Sequence, residues 1–356
     1  MAAHAPSANP AAARYAAFDP AQLTGLVRER WKYTRLPPFA EALAAVPSAN
    51  ALTASTELGA DSVTHPSALS TAVLEDSAQW HPYPLADAIF ASTEGWSATV
   101  SPGADVEGAL TLDDGKGHGL VQLGESAAAT LSLELRSQQA AFGTVQFEIG
   151  ANAALTLDTT ALDVAGIGWL LTRFALHANA RLTLRQYFTG AGNHRHETHI
   201  LMAGPGAEAR LMGAAIGHPA SRFDQQVVLE HAAPNATSHQ RFHCAGLAAS
   251  RSNFNGRIHI HPGARATVAE LSNRNLALTQ DAQLNTKPEL EIYNDDVRCA
   301  HGATVGQLDA DALYYCQSRG IPEAHAKRLL TSGFLQQCVT GPSAERVADA
   351  IRARIT

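Results

Sequence analysis

From about Trp96 to Gly306 the chain carries short runs in which apolar and polar residues alternate, and no helical pattern separates them. Thr130-Leu131-Ser132-Leu133-Glu134-Leu135, Thr144-Val145-Gln146-Phe147-Glu148-Ile149, Arg181-Leu182-Thr183-Leu184 and Arg257-Ile258-His259-Ile260 all show it. Alternation with period two puts one set of side chains on each face of a half-buried strand. A sheet of repeated βαβ units would need helix-patterned segments of about 10 to 15 residues between strands, and none is present.

The strands also repeat. A unit of the form polar–Ala–x–apolar opens several of them, as Asn152-Ala153-Ala154-Leu155, Asn179-Ala180-Arg181-Leu182 and Glu208-Ala209-Arg210-Leu211. Looser copies are Arg265-Ala266-Thr267-Val268 and Asp281-Ala282-Gln283-Leu284. The copies are spaced by roughly 16 to 30 residues, a solenoid-like period. A small Ala at a tight corner would let one coil stack on the next, and Gly150, Gly206 and Gly263 stand where a turn can demand positive φ. A closed β-sandwich is the competing architecture. It would need hairpin turns, and Asn255-Gly256 and Asp114-Gly115 are the only Asn-Gly or Asp-Gly pairs. The pattern therefore favours a mainly β chain built on a parallel β-helix.

The ends differ from this core. Met1 to Phe18 is Ala-rich, without a basic start and apolar stretch, and reads as a disordered tail rather than a signal peptide. Residues 19–95 read as an N-terminal helical region and linker. Within it Asp19 to Ala45 has helical composition broken by Pro37-Pro38, and Ala49 to Pro84 has no clear period. The β core is assigned to 96–306 and a C-terminal helical domain to 307–356. In that domain, Asp309 to Ser318, Pro322 to Cys338 and Ser343 to Ile355 each carry a helical start signal or apolar spacing.

Bulk properties exclude several roles. A formal net charge of −7 and 6% aromatic residues oppose a general nucleic-acid binder, which needs basic stripes or stacking platforms. No run approaches the roughly 20 apolar residues that cross a bilayer as a helix. Cys244, Cys299, Cys316 and Cys338 are scattered, unlike a disulfide framework or zinc finger, so a reducing cytoplasm is expected. Gly108 to Lys116 lacks the glycine spacing of a phosphate-binding loop, and no dinucleotide fingerprint, nucleophile elbow or H-E-x-x-H motif is found. A polysaccharide-active β-helix enzyme would need clustered carboxylates, whereas Asp295 and Asp296 alternate to opposite faces.

Three groups could bind metal. His194, His196 and His199 resemble a site, but on a strand the first two face one side and the third the other. His239, His243 and Cys244, with His231 upstream, fit no standard zinc spacing. In Asp295-Asp296-Val297-Arg298-Cys299-Ala300-His301-Gly302, Cys299 and His301 share a face of the extended chain. A thiolate beside an imidazole suits soft or borderline metals, including iron–sulfur species. Two ligands are too few, so others must come from elsewhere or from another subunit. A buried structural cysteine beside a hydrogen-bonded His is the alternative reading.

This third group belongs to a longer stretch that resembles the SufB/SufD family of iron–sulfur cluster assembly proteins. The resemblance runs from Phe254-Asn255-Gly256-Arg257-Ile258 and Asn273-Arg274-Asn275-Leu276 into Thr286-Lys287-Pro288-Glu289-Leu290-Glu291-Ile292-Tyr293. It continues from Asp295 to Leu308, then through Leu313-Tyr314-Tyr315 and Ser318-Arg319-Gly320-Ile321. Trp31-Lys32-Tyr33-Thr34 and His231-x-x-Pro234-x-x-x-Ser238 are fainter echoes. Gly302 follows the His where SufB-like members carry Glu, so the chain resembles the SufD branch; a SufB-like scaffold carrying the cluster itself is the alternative.

The resemblance implies a right-handed parallel β-helix flanked by helical regions, in a subunit with no catalysis of its own. It implies pairing with SufB through the β-helix and docking of the SufC ATPase on the C-terminal helices. Tyr314, Tyr315, Arg319, Leu329, Leu330 and Phe334 are the candidate docking residues. His301, then Cys299, are the candidate ligands for transient iron or a cluster shared with SufB, with no stably bound cofactor. Cys316, where the family is usually apolar, is expected to be buried. Self-association of the isolated chain through exposed coils is a further expectation.

Overall fold

The structure, a computed structural model, describes residues 31, 34, 36–46, 51–54, 85, 89, 95–162 and 164–355. The expected tail at 1–18 and most of 19–95 lie outside these residues. In chain order the described elements are α1 (Leu36–Ala45), β1 (Leu52–Ala54), β2 (Trp96–Val100), β3 (Asp105–Leu112), β4 (Gly115–Leu123), β5 (Ala128–Leu135) and β6 (Ala140–Ile149). They continue with β7 (Ala154–Ala161), β8 (Ile167–Leu176), β9 (Arg181–Phe188), β10 (Asn193–Met202), β11 (Glu208–Ile216) and β12 (Arg222–His231). Next come β13 (Thr237–Gly246), β14 (Arg251–Ile260), β15 (Thr267–Ala277), β16 (Gln283–Ile292) and β17 (Val297–Gly306). Three helices close the chain: α2 (Ala310–Ser318), α3 (Glu323–Gln336) and α4 (Ala344–Arg354).

Odd-numbered strands form one sheet and even-numbered strands the other, so each coil contributes one strand to each. From β2 to β17 every pairing is parallel, which makes the core a β-solenoid and rules out a sandwich of hairpins. Asn255-Gly256 falls inside β14, and Asp114-Gly115 joins strands of different sheets. Residue 105 lies beside residue 128, and residue 251 beside residue 283, so the coil lengthens from 23 to 32 residues along the axis.

The repeated corner is a stack of left-handed residues. Gly103, Ser126, Asn152, Asn179, Gly206, Asn235 and Ala266 all have φ between 53° and 72°. Each donates its backbone N–H to a carbonyl of the following coil, from Gly103 to Glu125 (2.9 Å) through Asn179 to Pro205 (2.9 Å) to Ala266 to Asp296 (2.7 Å). The next position is small: Ala127, Ala153, Ala180, Ala207 and Ala236 are all essentially buried. The expected copy at Glu208-Ala209 is thus displaced by two residues, since Gly206-Ala207 occupies the corner. Asp281–Leu284 belongs elsewhere, because it leads into the even sheet. Of the three glycines expected to need positive φ, only Gly206 has it; Asn152 and Ala266 fill that role beside Gly150 and Gly263.

Inside the coils, aliphatic side chains and stacked rings fill the core, including Phe147 on Phe174 and Phe188 on Phe223 (centroids 4.9 and 4.0 Å). The N-terminal region covers the outer face of the even sheet. Trp31, Phe39, Leu43, Leu85 and Ile89 pack there against Phe142, Trp169 and Leu171. Beneath them Arg195 is fully buried, bonded to Glu197 (3.0 Å) and Asp224, with Trp31 stacked 4.1 Å from its guanidinium carbon. Such a charge persists only because paired partners replace its water.

Two details of this region can be placed. α1 begins at Leu36, so Pro37 and Pro38 occupy its first turn, where backbone N–H groups need no helical partner; most of the stretch before them lies outside the described residues. Leu52–Ala54, in the stretch read as loose loops, pairs antiparallel with β3 and caps that end of the odd sheet. At the other end of the chain, Leu335, Cys338, Val347, Ile351 and Ile355 pack the helical segment onto the odd sheet around Tyr187 and Ala214.

The corner stack yields a direct test. Asn179→Val should lower stability by about 1–2 kcal/mol, the cost of a branched side chain in left-handed backbone, with the loss read as a shift in urea midpoint. Asn179→Gly keeps the conformation and should lose less, giving up mainly the 3.1 Å side-chain bond to Asn152. Equal losses in both variants would show that the corner conformation is not what stabilises the stack.

Candidate functional site

The two ends of the solenoid are finished differently. At the N-terminal end β1 covers β3, and Trp96 Nε1 donates to the Leu52 carbonyl (3.1 Å). At the C-terminal end β16 and β17 are the last strands of their sheets, and each has a strand neighbour on one side only. Cys299 and His301 lie on β17 beside Ala269 and Leu271, both buried in the core. By strand parity they continue the inner columns of the solenoid, with no further coil above them.

Lacking that coil, core-type positions become surface. His301 is exposed, Cys299 is half-buried against the core, and Val305 and Ile292 are 52% and 43% exposed. Burial pushes the Cys299 thiol above its usual pKa, so the isolated chain holds it protonated near neutral pH. His301 also lines an open groove of about 640 Å³ shared with Arg210, His239, Arg241 and Glu270. Among the described residues, Cys299 and His301 belong to no group of three converging metal ligands. The expected pair lies on one strand and on one face of it.

The other candidate groups separate as strand parity requires. His194 and His196 lie in the core beside Phe188 and Phe223. Gly168 leaves room for His194, since a Cβ there would stand 2.3 Å from Nδ1. His199 is on the opposite face, bonded to Glu230 (2.7 Å). The second group also disperses. His239 meets Glu270 at the surface, His243 stacks on Phe334 and bonds its carbonyl (2.8 Å), and Cys244 is buried with its thiol pushed up to about 11. The His231–Ser238 motif is a buried hydrogen bond of 3.0 Å, which joins the end of β12 to β13.

The proposed docking helices divide into two parts. α2 contains no buried residue; Tyr314 and Tyr315 are 72% and 59% exposed, and Arg319 lies over the Tyr315 ring (5.2 Å). Leu329 is 48% exposed and Leu330 half-buried. Phe334 is half-buried, with one side of its ring stacked on His243 and packed toward the odd sheet. Cys316 is half-buried rather than buried, because α2 stands clear of the core. Farther on, Tyr187 Oη donates to the Thr340 carbonyl (2.8 Å), Asp158 accepts from the Ser343 N–H (3.0 Å), and Arg346 pairs with Glu134 (2.8 Å). These bonds anchor the last helix and leave α2 and the exposed side of α3 free.

The fold is thus a parallel β-solenoid with one end capped by β1 and, among the described residues, one open end that carries a thiol and an imidazole on its last strand. Residues 113–334, more than half of the chain, match the family model described as SUF system FeS cluster assembly, SufBD core domain. The chain belongs to the SufB/SufD family and thereby to iron–sulfur cluster assembly. It is 31% identical over 169 residues to the iron–sulfur cluster assembly protein SufD of Escherichia coli, covering 48% of this chain and 40% of that protein. A SufBD family protein of Synechocystis is 31% identical over 213 residues, covering 58% and 47%. A SufD of Bacillus subtilis is 32% identical over 142 residues, covering 40% and 32%. The matches thus span less than half of each of these relatives. No described helix is long and apolar enough to cross a membrane.

The core histidines make stability pH-dependent. Burial lowers the pKa of His194 to about 3 and of His196 and His231 to about 4. The unfolded chain takes up these protons near pH 6.5 and the folded chain does not, so stability is full above that pH and declines as pH falls toward 4. Urea midpoints measured at pH 7, 6 and 5 should fall in that order. A flat profile would contradict neutral burial of these rings.

Proposed function

We propose that this chain is the SufD-type, non-catalytic subunit of a cytoplasmic cluster-assembly complex. It pairs with SufB through the open coil formed by β16 and β17. The observation that carries the reading is an uncapped solenoid end bearing Cys299 and His301, with no third ligand converging on them. A second β-helix placed against this end would cover Val305 and Ile292 and satisfy edge-strand groups, which otherwise invite uncontrolled pairing. It would also bring further donors to the same point.

His301 is the principal ligand in this reading, because it is exposed and needs no rearrangement to meet iron or a nascent cluster. Cys299 is the second ligand; its raised pKa means that it binds as thiolate only when a metal or a partner's charge offsets the burial. The cluster is cargo shared with SufB rather than a resident cofactor. SufC docks on α2 and the exposed side of α3, through Tyr314, Tyr315, Arg319 and Leu329, with Leu330 at the margin. When SufB is absent, the same open end is free to pair with a second copy of this chain.

Co-expression with SufB and SufC from the same source, followed by size exclusion with light scattering, tests the assignment. The expected product contains one copy of this chain, one SufB and two SufC. A folded chain that never co-purifies with SufB would overturn the reading. Within that complex, His301→Ala should preserve assembly and lower cluster formation at least about tenfold, the scale seen when even an outer partner of a metal ligand is removed. Tyr314→Ala with Leu329→Glu should weaken SufC association while SufB remains bound; unchanged SufC affinity would remove α2 and α3 from that role.

A further inference from the structure

A second cluster of potential metal ligands lies on the outer face of the even sheet, one coil below the open end. Glu230 ends the β12 ladder next to His231, and its register partner is His259 on β14. His261 follows β14 by one residue, so His259 and His261 are two apart and present themselves to the same side. One ligand atom from each of Glu230, His259 and His261 lies within 4.8 Å of the other two. A metal held at about 2.0–2.2 Å by imidazole nitrogen and carboxylate oxygen brings such atoms only slightly closer. The imidazole centroids are 4.3 Å apart and tilted by 34°.

The surroundings are those of a built site. The Glu230 side chain is 10% exposed, and its two oxygens are held separately, by His199 Nε2 at 2.7 Å and by His261 Nε2 at 2.8 Å. Burial opposes ionisation of Glu230, but the bonds and charges of His199 and His261 win and hold its carboxyl down to about 2. The carboxylate is thus fixed in place between two imidazoles. His199 behind it acts as the outer partner that orients a ligating carboxylate. Glu291 adds a further carboxylate at the edge, 3.2 Å from His259 Nδ1. The Arg257 guanidinium lies nearby, paired with Glu291 and 3.5 Å from the same His259 nitrogen. The side chains of His259 and His261 are 20% and 36% exposed, which leaves a solvent route to the cluster.

We propose that Glu230, His259 and His261 form a binding site for a divalent first-row metal, Zn²⁺ or Fe²⁺, separate from the Cys299–His301 end. Two imidazoles and a carboxylate are a donor set that both ions accept while keeping an open position for water or an exchanging ligand. Binding replaces the 2.8 Å contact between His261 Nε2 and Glu230 with bonds from both groups to the ion. The assignment does not depend on the chain's place in an assembly complex, because none of the three residues lies on the open coil.

The test uses the full chain carrying Cys299→Ala and His301→Ala, stripped of metal, so that the open end contributes no ligand. Titration with Zn²⁺ alone, and anaerobically with Fe²⁺ alone, should show one site per chain for at least one of the two ions. Replacing Zn²⁺ with Co²⁺ should give the visible bands of a nitrogen–oxygen site without thiolate absorption. Adding His259→Ala and His261→Ala should weaken binding more than tenfold and abolish the metal-induced rise in melting temperature. His259→Gln with His261→Gln, which fills the same space and keeps polar contacts, guards against a folding defect; circular dichroism of the metal-free variants should match the parent. Absence of a bound equivalent of either ion, or binding unchanged by both pairs of substitutions in folded protein, would overturn the site.

Discussion

The backbone hydrogen bond at the left-handed corner is the contact on which the solenoid depends. At each coil one residue turns to positive φ and donates its N–H to the carbonyl of the coil that follows, seven times in succession. The bond sets the height at which the next coil starts, and the buried alanine after it lets the coils approach closely. Asparagine and glycine suit the position because they tolerate left-handed backbone at little cost. With the corner held, both strands of every coil enter in register, and strand parity then decides which side chains are core and which are surface. The separation of His194 and His196 from His199 follows from this alone.

A solenoid also has ends, and here they are treated unequally. β1 and Trp96 close the first coil, while the last coil exposes core-type positions and unpaired strand edges. Stacked architectures require caps, since each coil buries its apolar side only against a neighbour. Among the described residues, the helices do not supply one. α4 and the end of α3 pack onto the odd sheet around Tyr187, and α2 stands clear with its tyrosines exposed. Thiol and imidazole therefore sit on a strand edge that another molecule can reach, as the proposed pairing requires.

Much of this was legible in the residues themselves. Alternation over Thr130–Leu135 and Thr144–Ile149 predicted strands, and the scarcity of hairpin signals predicted parallel stacking. The shared face of Cys299 and His301 followed from their two-residue spacing. Other features were hidden for identifiable reasons. The corner copy at Gly206-Ala207 was misread by two residues because Glu208-Ala209 repeats the same letters. Burial of Arg195 could not be foreseen, since Glu197 is near in sequence but Asp224 and Trp31 are not. His259 and His261 did carry a signal, the same i, i+2 spacing applied to His194 and His196. Their carboxylate, however, is supplied one coil earlier.

Sequence by itself determined the period, the strand faces, the helical end and the family, because these rest on local alternation, turn-compatible residues and motifs of contiguous chain. Only the tertiary structure decided which residues meet across coils. Parallel stacking brings together side chains about 23 to 32 positions apart, and a drift of one or two residues in coil length exchanges one neighbour for another. That is why Phe334 stacks on His243, why α2 is left uncovered, and why Glu230 faces His259 and His261. It is also why the last coil, identical in local pattern to those before it, is the one whose inner residues remain open.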